Sequence, residues 1–297
     1  MNGLQFTRLP PTAEAVVVDV ETANILFMAA RISPGSDSVN LPRMLPRPAV
    51  FRLRCGKDSL NRKSPPMSDL ATVIPLPAPV LLPVDGRDDR FPVRRVYCVG
   101  RNYADHAIEM GHDPSREPPF FFQKNADNLL PAGQAFPYPP LSNDVHYEVE
   151  CVLVLKAGGA NIEAGRALDC IYGYAVGIDF TRRDLQGEAK KLGRPWELAK
   201  AFEHSAPVSA IVPASRIGHP GEGRIWLEQN GKRVQDGNLN QMIWKVPEII
   251  AELSKLFVLA PGDVIMTGTP AGVGAVSKGD RITCGIDGVA TLSVEVV

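Results

Sequence analysis

His146-Tyr147-Glu148-Val149-Glu150-Cys151-Val152-Leu153-Val154-Leu155 has the two-residue period of a β-strand. Tyr147, Val149, Cys151, Leu153 and Leu155 form a wholly apolar face. Glu148 and Glu150 share the other face, roughly 6.5 Å apart along the backbone. Val152 and Val154 follow them there, so that face also becomes core partway along. Two carboxylates are thereby held at the rim of a buried sheet. They repel unless a positive charge stands between them, and a divalent cation would serve. Asp179 closes a second apolar strand, Tyr174-Ala175-Val176-Gly177-Ile178, where a lone charge needs a partner. The three acids together offer hard oxygen ligands suited to Mg2+ or Mn2+. Paired acids on a strand also occur on solvated sheet edges, and Asp179 is what weighs against that reading here.

The chain of 297 residues is long enough for one large domain or two modest ones, and 44% hydrophobic residues is ordinary for a globular protein. The net charge of -1 conceals an asymmetry: residues 1–66 hold nine Lys/Arg against five Asp/Glu, the remainder 23 against 28. A mildly acidic body argues against nucleic acid or a membrane as the partner. Five scattered cysteines without C-x-x-C spacing read as reduced, mostly buried thiols of a cytoplasmic protein. No apolar run approaches the length of a membrane helix.

Residues 1–66 carry eight of the 27 prolines, a basic patch from Arg43 to Lys63, and no sustained period after residue 33. Such a segment is expected to be disordered or a non-native extension, with Met67 as the natural start. Residues 67–92 read as an extended N-terminal segment, and residues 93–297 as one β-rich α+β domain with peripheral helices. Within it, Asn102 is the expected N-cap of a helix with Tyr103, Ala107 and Met110 inward. Phe120-Phe121-Phe122-Gln123-Lys124 is a strand expected to expose its terminal lysine. Helices are expected over Glu163 to Cys170, from Thr181 to about Leu192, and from Pro247, the last with Ile249, Ile250, Leu253, Leu256 and Phe257 inward. Asn230-Gly231 is the strongest hairpin signal.

His106 and Glu109 stand three apart on the first helix and can hydrogen-bond. Beside a metal they would be a general base and its orienting carboxylate; alone, they would be surface decoration. Lys124 and Lys200 each follow an apolar stretch, where a cation can meet developing negative charge or snorkel to solvent. Thr267-Gly268-Thr269-Pro270-Ala271-Gly272-Val273-Gly274 lacks the ending of a P-loop, yet its glycines let backbone N–H groups face a bound carboxylate. The remaining histidines, His112, His146, His204 and His219, carry no assigned role.

Taken together, Gly100-Arg101-Asn102-Tyr103-Ala104-Asp105-His106, Glu148-x-Glu150, Gly177-Ile178-Asp179 with Arg183-Asp184-Leu185-Gln186, and Thr267-Gly268-Thr269-Pro270-x-Gly272-Val273-Gly274 resemble the fumarylacetoacetate hydrolase family over residues 93–297. Gly193-Arg194-Pro195-Trp196-Glu197 and the Phe120-Phe121-Phe122 strand look most like its fumarylpyruvate hydrolases. One departure is Asn125, where members more often have proline. The resemblance implies a mixed β-sheet roll with peripheral helices, and a homodimer. It implies metal ligands at Glu148, Glu150 and Asp179, a dyad at His106 and Glu109, a catalytic Lys200, and substrate contacts from Lys124, Arg183, Gln186 and Thr269. Arg183 and Arg194 become candidates for the two substrate carboxylates. The implied reaction is metal-dependent hydrolysis of a carbon–carbon bond in a small acylpyruvate, with fumarylpyruvate of aromatic catabolism favoured. Oxaloacetate decarboxylation and isomerisation of a 2-hydroxymuconate-type diacid are the alternatives on the same scaffold, and a non-catalytic metal-dependent binding protein is a further one.

Overall fold

Runs of β-branched and small residues at 149–155 and 171–178 can be buried on both sides, and they make the centre of a mixed eight-stranded sheet. The computed structural model describes residues 72–111 and 117–297. Residues 1–66, the start at Met67, Cys55 and His112 therefore lie outside the described residues. In the large sheet, β4 (Phe120–Lys124), β3 (Arg95–Gly100), β14 (Asp263–Met266), β7 (Val149–Leu155), β8 (Ile171–Ile178), β10 (Ala206–Val208) and β5 (Leu129–Pro131) follow in that order, with β11 (Val212–Pro213) also on β8. The pairs β3/β14 and β5/β10 are parallel and the others antiparallel.

Alternation along β7 divides the interior. Val149, Cys151, Leu153 and Leu155 face one hydrophobic core, while Val152 and Val154 face a second with Val96, Cys98, Ala175, Val264 and Met266. The first core is closed by an antiparallel four-stranded sheet ordered β13 (Lys232–Asn238), β12 (Arg224–Gln229), β16 (Arg281–Ile286) and β17 (Ala290–Glu295), which contributes Ile225, Leu227, Ile282, Cys284, Leu292 and Val294. Among the described residues five α-helices lie around this frame: α1 (Ala104–Glu109), α2 (Arg183–Lys191), α3 (Glu197–Lys200), α4 (Ala214–Ile217) and α5 (Val246–Leu256). A short hairpin, β1 (Leu81–Pro83) with β2 (Arg90–Pro92), falls within the segment expected to be merely extended.

The opening stretch is not one strand. It breaks at Glu148: β6 (Val145–Tyr147) leaves the large sheet to pair with β9 (Thr181–Arg182) and β15 (Gly274–Ala275). The strand carrying Asp179 breaks opposite, and the Asp179 N–H donates to Glu148 O at 2.8 Å. Both acids thus occupy the seam between two sheets.

Other expectations need correction. Asn102 is not the N-cap of α1; that position is Tyr103. The Asn102 amide instead donates to Trp244 O (3.0 Å) and Thr267 O (2.8 Å) and accepts from Trp244 N (2.7 Å), long-range bonds that outweigh one local cap. Lys124 is 3% exposed rather than presented to solvent. The segment Ala164–Cys170 is wound as a 3-10 helix, and α2 begins at Arg183 because Thr181–Arg182 is claimed by β6. On α5, Leu256 is 65% exposed and Val246 takes an inward place instead. The Asn230-Gly231 turn is as expected, with φ of 54° and 81°, the double positive φ of a type I′ hairpin joining β12 to β13. Cys98, Cys151, Cys170 and Cys284 are free and buried. Among the described residues no helix is long and apolar enough to cross a membrane.

Candidate active site

The sheet seam brings Glu148, Glu150 and Asp179 together, each with a carboxylate oxygen within 4.8 Å of the others, and all three buried. Cations already stand against two of them. Arg183 Nη2 donates to Glu148 Oε1 at 2.6 Å, and Lys200 Nζ donates to Glu148 Oε2 at 2.8 Å and Asp179 Oδ2 at 2.7 Å. Lys124 Nζ lies 2.8 Å from Asp179 Oδ1. Glu150 is different: its Oε2 accepts from the Gly268 N–H at 2.8 Å, and no lysine or arginine forms an ion pair with it among the described residues.

The electrostatics follow. Burial pushes the Glu148 carboxyl up, but Lys200, Arg183 and His106 outweigh it and hold the group well below the usual carboxylate range. Burial and the neighbouring Asp179 and Glu148 charges push Glu150 well above that range, against smaller opposition from Lys200 and the Gly268 N–H. Burial opposes the charge on Lys200 too, yet Asp179 and Glu148 raise it above its ordinary value. Three buried, all-oxygen donors, one of them uncompensated, suit a divalent hard cation such as Mg2+ or Mn2+.

Beside the acids, α1 presents His106 to a cleft. His106 Nδ1 lies 3.2 Å from Glu109 Oε2, and Glu109 also accepts from the Gly272 N–H, at 3.0 Å to Oε1. With the Nδ1 proton directed to Glu109, Nε2 is left as the base. Gly272 is at φ 96°, and a Cβ there would fall 2.1 Å from Val234 O, so only glycine brings this N–H to Glu109.

The same cleft is lined by Glu148, Glu150, Arg183, Gln186, Lys200 and Thr269. Arg183 Nη1 donates to Gln186 Oε1 at 2.8 Å, so one helix face orients both. Lys124 is not part of the lining. It sits behind Asp179, donating to Ser205 Oγ (2.8 Å) and to Lys200 O, where it fixes the lysine that does face the cleft. Arg194 is also absent from the lining; it is exposed beyond α2, and its backbone N–H closes the helix on Ala189 O at 2.8 Å.

Sequence reasoning missed four residues. Arg101, Lys190 and Trp196 line the cleft, although Arg101 and Trp196 lie inside quoted motifs. Gln235 on β13 is completely buried. Its Oε1 accepts from Val149 N at 3.0 Å, between the two glutamates, and its Nε2 donates to Thr269 Oγ1 and Pro270 O, each at 2.8 Å. A register shift between β12 and β13 just after Leu227 precedes this inward aim, and no sequence period announces such a bulge.

Comparisons with known proteins agree with this geometry. The Fumarylacetoacetate (FAA) hydrolase C-terminal family matches residues 95–297. The mitochondrial oxaloacetate tautomerase of Rattus norvegicus is 43% identical over 203 residues, 68% of this chain and 91% of its own. A fumarylpyruvate hydrolase of Ralstonia sp is 44% identical over 184 residues, 62% of this chain and 95% of its own. The crystal structure of fumarylpyruvate hydrolase from Pseudomonas aeruginosa in complex with Mn2+ and pyruvate superposes with a TM-score of 0.75 at 50% identity, covering 76% of this chain and 99% of that one. The chain belongs to the fumarylacetoacetate hydrolase family, and within that family it is most like the fumarylpyruvate hydrolases.

Proposed function

We propose that the protein hydrolyses the carbon–carbon bond of an acylpyruvate, converting fumarylpyruvate to fumarate and pyruvate. The observation that carries this reading is that His106, hydrogen-bonded to Glu109, lines the same cleft as Glu148 and Glu150 of the buried acidic triad, because hydrolysis needs an activated water beside an electrophilic site. A divalent ion held by Glu148, Glu150 and Asp179 would polarise the 2-oxo acid and favour negative charge on it. His106 Nε2 accepts a proton from water as its oxygen attacks the distal acyl carbonyl, with Glu109 steadying the charged ring. The tetrahedral adduct collapses by breaking the bond to the methylene carbon, and pyruvate departs as its enolate. Lys200, its charge maintained by Asp179 and Glu148, faces that developing charge. Arg183 and the Thr269 hydroxyl hold the carboxylate end. Protonation of the enolate carbon completes pyruvate, and the acyl group leaves as a carboxylic acid.

A second reading has support in the 43% identity to an oxaloacetate tautomerase. Proton movement at oxaloacetate, its decarboxylation, or isomerisation of a related diacid would use the same ion and cations without requiring an attacking water. One assay separates the readings: loss of enol absorbance with fumarylpyruvate, acetylpyruvate and oxaloacetate, with Mg2+ or Mn2+ and with chelator. Hydrolysis predicts stoichiometric pyruvate and fumarate from the first substrate only when metal is present. Activity indifferent to chelator, or confined to oxaloacetate, would overturn it. Homodimerisation and a cytoplasmic location belong to the same proposal, the first checked by light scattering of the purified chain.

A further inference from the structure

The helix α2 sets Arg183, Gln186 and Lys190 at positions i, i+3 and i+7, a spacing that places all three on one face, and all three line the cleft. Arg183 lies at the Glu148 end of that face. Lys190 is two turns further on, roughly 10 Å along the axis. Between the two ends runs an aromatic wall. Lys200 Nζ is 5.1 Å from the centre of the Phe122 ring, Lys190 Nζ is 5.1 Å from that of Trp196, and the two rings are 6.0 Å apart.

The cations at the two ends differ in one respect. Arg183 and Lys200 are already paired with acids, whereas among the described residues neither Lys190 nor Arg101 stands in an ion pair with a carboxylate. Arg101 also lines this cleft, and its backbone is held at φ 58°, a conformation uncommon for a residue with a side chain. The adjoining Asn102, locked by three hydrogen bonds to Trp244 and Thr267, secures that turn. Burial, with Arg183 and Arg101 nearby, lowers the Lys190 ammonium from its ordinary value, so an arriving anion would relieve an unbalanced positive field.

We propose that Lys190, assisted by Arg101, receives the far carboxylate of a planar, unsaturated diacid whose 2-oxo acid end lies at Arg183, Lys200 and the acidic triad, with Phe122 and Trp196 packing along the linker. The proposal rests on the acylpyruvate reading for the identity of the near end and makes Lys190 the determinant of acyl-group specificity. An acylpyruvate ending in a methyl group meets the same wall but leaves Lys190 without a partner. This role falls to Lys190 rather than to the exposed Arg194, which lies outside the cleft.

The test compares wild type, Lys190→Met and Lys190→Arg, each loaded with Mn2+, on fumarylpyruvate and acetylpyruvate. Loss of one charge-assisted hydrogen bond predicts that the ratio of kcat/KM for the two substrates falls about tenfold in Lys190→Met, chiefly through KM for fumarylpyruvate. Lys190→Arg should restore most of the ratio. An unchanged ratio, or an equal loss on both substrates, overturns the proposal. Calorimetric binding of fumarate against crotonate, which shares its carbon skeleton but has one carboxylate, reads the subsite without turnover. Wild type should prefer fumarate and Lys190→Met should not; a preference that survives in Lys190→Met overturns the assignment. Wild type inert toward both acylpyruvates would instead remove the hydrolase reading, and the binding comparison would still decide Lys190.

Discussion

Glu148 and Glu150 are two residues apart, share one buried site, and contribute to stability with opposite signs. The folded Glu148 titrates below its unfolded value of roughly 4.3. Its pairing therefore stabilises the fold above that pH, and the contribution is lost as pH falls through the folded value. Glu150 titrates above its unfolded value, so its ionised form costs stability at neutral pH, and that cost is relieved as pH falls through the folded value. In chelator at neutral pH, Glu150→Gln should melt at or above wild type, by roughly 2–4 °C for each kcal/mol of relieved strain. Glu148→Gln should melt well below, since it leaves Lys200 and Arg183 short of an acid, a loss of about 3 kcal/mol or more. Calorimetric scans with and without Mn2+ check both, and each variant should show a smaller metal-induced rise than wild type. His106 makes a different prediction. His106→Ala should lower turnover roughly 10²-fold or more with Mn2+ still bound, because the side-chain hydrogen bond of His106 goes to Glu109 and not to an acid of the triad; retained turnover would remove it from the mechanism.

Elements show where local pattern suffices and where it does not. The Asn230-Gly231 hairpin is legible because two adjacent positive φ values exclude most other residue pairs. The apolar face of β7 is legible because apolar residues recur at every second position from Tyr147 to Leu155 while the two glutamates mark the other face. The break at Glu148 is not, since β6 is drawn away by Thr181–Arg182 and Gly274–Ala275, partners distant in sequence. Asn102 is misread for the same reason: a residue suited to capping finds three stronger partners far along the chain. On α5 the period locates Ile249, Ile250 and Leu253, but the helix stops before Phe257 and Leu256 turns to solvent. Leu253→Ala should therefore cost about 2–5 kcal/mol and Leu256→Ala less than about 0.5 kcal/mol, with kcat unaffected in both; urea titration reads the difference.

The whole molecule gathers the dyad, the triad and the cleft from Val99 to Gly272, all inside the span that the family matches. A chain beginning at Met67 should retain wild-type kcat and KM, and a failure to fold or turn over would show that residues 1–66 take part. Much of the site was readable from acids, histidine and lysines whose chemistry is conspicuous at their positions. Lys190 and Gln235 were not, because a surface-type lysine and a strand glutamine acquire their roles only from what folding lays beside them. Gln235 has the wider consequence. The Thr269 hydroxyl accepts the Gln235 amide proton on one of its two lone pairs, which leaves its own hydrogen free to be given. A group that ordinarily tolerates either polarity is thereby biased toward donating at the cleft wall. A substrate carboxylate can take that hydrogen, whereas an ammonium or an amide N–H would have to share the hydroxyl oxygen with Gln235, and the outer four-stranded sheet sets this bias through one side chain.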